Sequence, residues 1–382
     1  MSTPHPSIEY ALVGCVAASG SLIFTPVARR VAIAWGAVAR PRDRDVHAVA
    51  TPRMGGVALL LGLCMALFVA ARLPALSGAF NNGPEMAWIL TSGAIICAIG
   101  VIDDRYELDS LTKLAGQVLA TGIMVTVGGV QLADVYLPGL GTVSLGRDLA
   151  IPVTILLTVL TINAVNFIDG LDGLAAGVSA IGAGAFFLFS YHLAQRGLLD
   201  IAATPTLLTA ALAGTCIGFL PHNFSPARIF MGDSGSMLVG LMLSAAAATA
   251  TTNADPQGFS GTLGSLPLAL PLLIPVAVLA VPFVDLLLAV IRRVSRGRSP
   301  FAADKQHLHH RLLELGHSHR RAVLLLYFWS ALLAVGGVAL SIYRGAWVPL
   351  LMLGVAVVGA LISVLPGPRR RKRAPSAGSI QG

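Results

Sequence analysis

The sequence predicts an all-α polytopic membrane protein, and two observations support this fold class. Of the 382 residues, 55% are hydrophobic and only 12% are charged, whereas soluble domains carry about 25% charged residues. The apolar residues also fall in runs of roughly 17–24, the length that crosses a hydrocarbon core of ~30 Å. A disordered chain and most soluble enzymes are therefore excluded, and no nucleic-acid partner is expected despite the net charge of +8.

These runs predict about 11 transmembrane helices. The fourth is short, and the ninth contains four prolines that predict a kink. Before the fifth helix, glycine and proline in residues 128–148 predict a small hairpin. The four cysteines lie inside apolar runs, so we expect neither a disulfide nor a zinc site. The predicted spans are 7–28, 54–72, 86–102, 113–128, 149–166, 173–193, 205–220, 236–252, 265–289, 322–342 and 346–365.

Lysine and arginine predict the orientation of these helices. When the loops are assigned alternately to the two sides, 22 of the 26 basic residues fall on one side, which marks that side as cytoplasmic. The N-terminus is therefore expected outside and the C-terminus inside. Residues 1–366 are expected to form one membrane-embedded domain, and residues 367–382 a basic, disordered tail. The tail either serves topology and attraction to anionic lipid or helps to recruit anionic substrates.

Acidic, amide and histidine side chains cluster in four of the cytoplasmic loops. The first cluster is the pair Asp103–Asp104 at the inner end of the third span. Adjacent carboxylates repel each other unless a cation lies near them, so the pair indicates a bound cation or a role in proton transfer. The alternative is a solvated helix end with Arg105 as its partner.

The second cluster, Asn163–Leu174, contains Asp169 and Asp172 three positions apart. A helical turn would place both carboxylates on one face. Asn166 adds a neutral donor and acceptor, and two glycines allow a ligand to approach the backbone closely. The alternative is an Asx-type turn that caps the sixth helix.

The third cluster, Asn223–Ser236, places Asp233 in a Gly-Asp-Ser-Gly-Ser turn just before a helix. The free N–H groups of that helix favour an anion, whereas the carboxylate favours a metal ion. Together they suit a magnesium-bound phosphate. The alternative is again a helix cap.

The fourth cluster, Asp304–Leu312, predicts a short amphipathic helix at the inner surface, with His307, His310 and Arg311 on one face. No carboxylate or thiol is spaced to complete a tetrahedral zinc site. Hydrogen bonding to a phosphate or sugar is therefore the functional interpretation, and a solvated basic face is the alternative. All four clusters lie on one side, whereas a transporter would place its carboxylates near mid-span.

Together with Thr51–Gly56 (TPRMGG), these motifs resemble one family over about residues 10–365. The aspartate pair and the segments NFIDGLDGLA, FMGDSGS and HLHHR are similar to those of the polyprenyl-phosphate N-acetylhexosamine-1-phosphate transferases of glycosyltransferase family 4. The resemblance implies transfer of a sugar 1-phosphate from a UDP-sugar to a polyprenyl phosphate at a bacterial inner membrane, with release of UMP. The pattern His-x-His-His-Arg looks like the UDP-N-acetylglucosamine branch. The peptidoglycan branch resembles His-His-His there and uses UDP-N-acetylmuramoyl-pentapeptide.

The resemblance also implies residue roles and a homodimer, which is common in the family. Mg²⁺, or Mn²⁺ in its place, is expected on Asp233 and Asp169. Asp103 and Asp104 would act on the lipid phosphate. Asp169 and Asp172 would be the other two catalytic carboxylates. The expected substrate-binding residues are Arg53, Lys113, Asn166, Asn223, His307, His309, His310 and Arg311.

Direct in-line attack is the expected mechanism, and double displacement through a phospho-enzyme is the alternative. A lipid-linked sugar transporter is the alternative from another functional class. It would have no reason to release UMP, so UMP release separates the two functions.

Overall fold

The computed structural model of the chain describes residues 5–39, 50–81, 83–132, 134–137, 141–200, 203–253, 318–343 and 347–364, with single positions at 273, 295 and 345. Ten of the predicted spans fall in these ranges, and all ten are helices. Almost all of the ninth span, the histidine loop and the tail 367–382 lie outside the described residues. The helices are α1 (Pro6–Trp35), α2 (Gly55–Ala70), α3 (Gly78–Asn81), α4 (Glu85–Tyr106), α5 (Ser110–Thr126), α6 (Arg147–Ile168), α7 (Leu174–Gln195), α8 (Thr204–Asn223), α9 (Gly232–Asn253), α10 (His319–Ile342) and α11 (Trp347–Val364).

The described helices confirm a multi-pass membrane protein. Seven of them, α1, α4, α6, α7, α8, α9 and α10, are long and apolar enough to cross a bilayer, and α2 and α11 are shorter apolar helices. Helix α5, with 17 residues, belongs to neither group, and it contains Lys113 and Gln117. The count of about 11 spans and their orientation stay predictions.

Two small antiparallel strand pairs connect the helices. The hairpin predicted within 128–148 is confirmed by strands β3 (Asp134–Leu137) and β4 (Gly141–Ser144). A two-residue pair, β1 (Val38–Ala39) with β2 (Thr51–Pro52), brings the chain back to the end of α1 before α2 begins.

Helix α1 is longer than the sequence pattern predicts. The charges of Arg29 and Arg30 set the expected end at residue 28, but the helix continues through both to Trp35. Gly36 then ends it in the left-handed conformation, with φ of 77°, which glycine adopts without strain. The predicted end rested on charge, whereas backbone conformation decides where the helix stops.

Helix α9 lies at the centre of the bundle. In its membrane-spanning window, 94% of the residues are buried, and it packs against α2, α4, α6 and α8. Its sequence is dominated by glycine, alanine, serine and threonine, which let neighbouring helix backbones approach closely in a membrane. The surrounding helices therefore determine where the N-terminus of α9 lies.

Helix α8 packs on α1 through glycines that are four positions apart. A Cβ atom added at Gly218 would overlap the backbone of Ala18, and one added at Gly214 would overlap the backbone of Gly14. Residues four apart share one helix face, so the two glycines form a continuous contact line on α1.

We predict that Gly218→Ala destabilises the protein by about 1–3 kcal/mol, because backbone atoms must move to admit the new methyl group. The matched control is Gly184→Ala on α7, where the added Cβ meets nothing within 4 Å. Thermal unfolding in detergent should show a lower midpoint for Gly218→Ala and an unchanged or higher one for the control. Equal midpoints for both variants would contradict the close contact between α8 and α1.

Candidate active site

Three interhelical connections meet at the N-terminus of α9. They are the connections from α4 to α5, from α6 to α7 (residues 169–173) and from α8 to α9 (residues 224–231). Asp104 and Asp169 each accept a backbone hydrogen bond from the first turn of α9. The first three polar clusters of the sequence therefore form one site, as their predicted common side of the membrane implied.

Asp104 caps α9 from a neighbouring helix. Its Oδ1 accepts from the backbone N–H of Asp233 at 2.9 Å, and its Oδ2 accepts from the N–H and Oγ of Ser234 at 3.2 and 2.7 Å. The first N–H groups of a helix have no partner within the helix, and they favour negative charge. The carboxylate is only 4% exposed, so both oxygens serve to position Asp233.

Glycines make this close approach between helices feasible. Gly232 adopts φ of 71°, and a Cβ atom there would lie 2.5 Å from Oδ1 of Asp104. Cβ atoms added at Gly56 of α2 or Gly100 of α4 would overlap the backbone at Ser234. Only hydrogen fits at these three positions, which brings α2, α4 and α9 together around the site.

Lys113 lies between two carboxylates at the start of α5. Its Nζ is 2.5 Å from Oδ2 of Asp103 and 2.8 Å from Oδ1 of Asp233, and Asn166 also donates to Oδ1 of Asp233. Arg105 instead donates to the carbonyl of Trp35. The alternative of a solvated helix end paired with Arg105 is therefore wrong, since Asp103 is also buried.

Asp169 and Asp172 do not share a helix face. Residues 169–173 form a turn, and the two carboxylates hold different points of the chain before α9. Asp169 accepts from the N–H of Gly232 at 3.0 Å, and Asp172 accepts from the N–H of Ala227 at 3.1 Å. The expectation of one helical turn failed because Gly173, at φ of 77°, starts α7 only after the turn.

Asn223 connects the same two loops through its side-chain amide. Its Oδ1 accepts from the N–H of Gly173 at 3.1 Å, and its Nδ2 donates to the carbonyl of Ile229 at 3.0 Å. The side chain is 2% exposed. Its contacts position the loops, and its predicted contact with a nucleotide stays a prediction.

The site carries a surplus of negative charge. Desolvation, followed by the charges of Asp233 and Asp104, raises the pKa of Asp169 well above its usual range, and the hydrogen bond from the N–H of Gly232 and the charge of Arg53 only partly offset this. Such a surplus favours a bound cation. In the described part of the chain, however, no three His, Cys, Asp or Glu side chains surround a common metal position. A cation here would need further ligands from substrate or water.

The segment Thr51–Gly56 forms hydrogen bonds to the loop before α9. The N–H groups of Gly55 and Gly56 donate to the carbonyls of Phe230 and Met231 at 3.1 and 3.2 Å. Arg53 lies half-buried within this segment. The remaining predicted substrate-binding residues, at positions 307, 309, 310 and 311, lie outside the described residues.

Sequence reasoning missed a second layer of polar side chains beneath Lys113 and Asn166. Gln117 is 1% exposed, and it exchanges hydrogen bonds with Asn163 at 2.7 and 3.4 Å. Ser236 accepts a hydrogen bond from Asn166 at 2.9 Å. The available signal was spacing: Gln117 follows Lys113 by four positions and Asn163 precedes Asn166 by three, so each pair shares a helix face.

Comparison with known proteins places this architecture in a family. A sequence profile of glycosyl transferase family 4 matches residues 86–251. A decaprenyl-phosphate N-acetylglucosaminephosphotransferase of Mycobacterium leprae is 47% identical over 96% of this chain and 92% of its own length. This chain belongs to glycosyl transferase family 4.

Further relatives support the same assignment. The protein of the same name from Mycolicibacterium smegmatis is 48% identical over 94% of this chain and 89% of its own length. A probable undecaprenyl-phosphate N-acetylglucosaminyl 1-phosphate transferase of Bacillus subtilis is 33% identical over 88% of this chain and 86% of its own length. The profile match of this family 4 member spans Asp103 to Asp233, so it contains the whole acidic site.

We predict that Gln117→Leu in this family 4 enzyme lowers turnover about 5-fold, because Lys113 and Asn166 lose the amide pair that holds α5 against α6. A loss of about 1 kcal/mol fits the strength of polar pairs between membrane helices. Turnover and thermal stability of the purified enzyme would be measured.

The matched control for Gln117→Leu is Thr126→Val on the same helix. The Thr126 hydroxyl donates to the carbonyl of Gly122 within α5, so its loss should leave turnover unchanged. A double variant of Gln117→Leu with Asn163→Leu should show coupling between the sites. Strictly additive effects would mean that the amide pair does not hold the helices together.

Proposed function

We propose that this enzyme transfers N-acetylglucosamine 1-phosphate from UDP-N-acetylglucosamine to a polyprenyl phosphate and releases UMP. The observation that carries the proposal is similarity over 96% of the chain to relatives named decaprenyl-phosphate N-acetylglucosaminephosphotransferases. The acidic site at one end of a membrane bundle fits a reaction between a soluble donor and a lipid whose phosphate lies at the bilayer surface.

The main chemical obstacle is charge rather than proton removal. The second pKa of a phosphate monoester is about 6, so the lipid phosphate is already mostly a dianion at neutral pH. A dianion must approach the pyrophosphate of the donor, which is also negative. Mg²⁺, or Mn²⁺ in its place, would neutralise this charge and stabilise the departing UMP.

Asp233 and Asp169 are the residues proposed to hold this ion. Both offer carboxylate oxygens, the ligands that Mg²⁺ prefers, and Mg²⁺ commonly completes its shell with water and substrate phosphates. That preference fits a site whose described side chains do not form a three-ligand cage. Asp104 positions Asp233 by capping α9, and Asn166 orients its carboxylate.

Lys113 is proposed to bind the acceptor phosphate. Its ammonium bridges Asp103 and Asp233, so it lies where an incoming phosphate would meet the metal-binding carboxylate. The histidine loop, His307–Arg311, is proposed to hold the sugar and pyrophosphate of the donor, with Arg53 beside it. Asp103 is proposed to orient the ammonium of Lys113.

Direct in-line attack fits these contacts better than a phospho-enzyme. A carboxylate nucleophile needs a free oxygen aimed at the phosphorus. All four oxygens of the Asp103–Asp104 pair are engaged: those of Asp104 accept hydrogen bonds from α9, and those of Asp103 bond to the N–H of Leu108 and to the ammonium of Lys113. We therefore propose that the lipid phosphate itself is the nucleophile.

Purified enzyme supplied with polyprenyl phosphate, Mg²⁺ and a panel of UDP-sugars tests this function. UMP should be released with UDP-N-acetylglucosamine and hardly at all with UDP-N-acetylmuramoyl-pentapeptide. A preference for the pentapeptide donor would move the enzyme to the peptidoglycan branch. Vesicle transport of a lipid-linked sugar without UMP release would indicate a transporter instead.

Asp233→Asn should lower turnover at least ~100-fold at saturating Mg²⁺, since it keeps the shape of the side chain and removes its charge. The expected loss of transition-state stabilisation is about 3 kcal/mol. Asp148→Asn, an exposed aspartate in the first turn of α6, is the control and should retain turnover. Near wild-type activity of Asp233→Asn would falsify the metal assignment.

We also propose that the site faces the cytoplasm, with the N-terminus outside and about 11 spans. In a cysteine-free background, cysteines introduced at 110 and 305 should resist an impermeant thiol reagent added to intact cells. Cysteines introduced at 140 and 258 should react. Labelling at 110 from outside would mean that the orientation is reversed.

A further inference from the structure

An apolar groove runs along the junction of α10 and α11, away from the acidic site. Its volume is about 650 Å³, and its lining includes Arg321, Leu324, Phe328, Leu351, Val355 and Ile362. Arg321 supplies the one charged side chain of this lining, and all the other lining residues are apolar. The groove is therefore apolar along its length, with a cation at one end.

The charged end of the groove lies at the same membrane face as the acidic site. Arg320, the residue before Arg321, donates from Nε to the carbonyl of Ser225 at 2.8 Å, and Ser225 belongs to the loop that precedes α9. Helix α10 therefore starts at this face, and the groove extends from it into the bilayer.

The groove matches one leaflet in length. It follows α10 from Arg321 to Phe328 and α11 from Leu350 to Ile362, which at 1.5 Å per residue is about 10 and 18 Å. Half of a ~30 Å hydrocarbon core is about 15 Å. A single lipid chain of the leaflet on this side would therefore fill the groove.

Arg321 is suited to an anionic headgroup. Its side chain is partly exposed, and no carboxylate among the described residues forms an ion pair with it. A guanidinium binds phosphate oxygens through a planar fork. The charge at the groove mouth thus complements a headgroup of net negative charge better than a zwitterionic or neutral one.

The geometry separates this groove from the reacting groups. Arg320 and Tyr327 of α10 bond to the loops of the acidic site, Arg320 to the carbonyl of Ser225 and the Tyr327 hydroxyl to the carbonyl of Gly173. Arg321 and Phe328 follow them by one position, a rotation of about 100° around the helix. A lipid in the groove therefore lies on another side of α10 from the site, where the acceptor phosphate could not react.

We propose that the groove between α10 and α11 binds one anionic phospholipid, with an acyl chain along the helices and its phosphate on Arg321. The bound lipid stabilises the packing of α11 on α10 near the N-terminus of α10, where Arg320 donates a hydrogen bond to the loop before α9. This site is independent of the proposed reaction.

Two variants test the site by different means. Arg321→Gln removes the charge, and Gly354→Leu fills the groove, since a Cβ atom at Gly354 meets nothing within 4 Å. The matched controls are Arg30→Gln, an exposed arginine near the end of α1 at this membrane face, and Gly122→Leu, an equally open glycine on α5.

Delipidated full-length protein would be titrated with phosphatidylglycerol or phosphatidylcholine in micelles, and bound lipid counted by native mass spectrometry. Phosphatidylglycerol should bind the wild type at least ~10-fold more tightly than phosphatidylcholine. Both groove variants should weaken it at least ~10-fold, and both controls should leave it unchanged. All variants should keep wild-type helicity and elution as a single species, which separates lost binding from misfolding.

Three results would overturn the proposal. Equal affinity for the two phospholipids would mean that the groove does not discriminate between headgroups by net charge. Unchanged binding in a folded Arg321→Gln or Gly354→Leu variant would place the lipid elsewhere. Displacement of phosphatidylglycerol by polyprenyl phosphate, together with a raised KM for that acceptor in Arg321→Gln, would make the groove part of the acceptor site.

Discussion

The hydrogen bonds that Asp104 accepts from the first turn of α9 are the interaction on which the site depends. One buried carboxylate supplies the acceptors that the end of α9 lacks and offsets the positive end of the helix dipole. Because Asp233 lies in that same turn, the cap also fixes the direction of its side chain. Ser234 in this turn is buried, so the carboxylate supplies the acceptor that water would supply at an exposed helix end.

The residues of the site divide into those that position and those that remain partly accessible. Asp104 and Asn223 are nearly completely buried and bond to backbone groups of the loops. Lys113 and Asp233 are each 22% exposed and bond to each other. The buried residues position the loops. A phosphate or a cation can reach the partly exposed residues.

Charge explains why such a site lies at a helix end rather than at mid-span. The site contains the carboxylates of Asp103, Asp104, Asp169 and Asp233, of which Asp103 and Asp233 bond to the ammonium of Lys113, and desolvation raises the pKa of Asp169. Deep in the bilayer this surplus would cost several kcal/mol. At the membrane boundary, water, a cation and the substrate phosphates can balance it, and a lipid acceptor can reach the site without leaving its leaflet.

The sequence by itself determined the membrane class, ten helices in the described ranges, the hairpin before α6 and the family. It also determined that Asp103, Asp169 and Asp233 belong to one side, because hydrophobic length and the order of loops are local properties of the chain. Tertiary structure alone decided that Asp104 caps α9, that the turn after α6 separates Asp169 from Asp172, and that Gln117 meets Asn163. The first and the last of these depend on how closely two helix backbones approach, and no pattern within one helix records that distance. The second depends on the backbone at Gly173, whose positive φ starts α7 only after the turn.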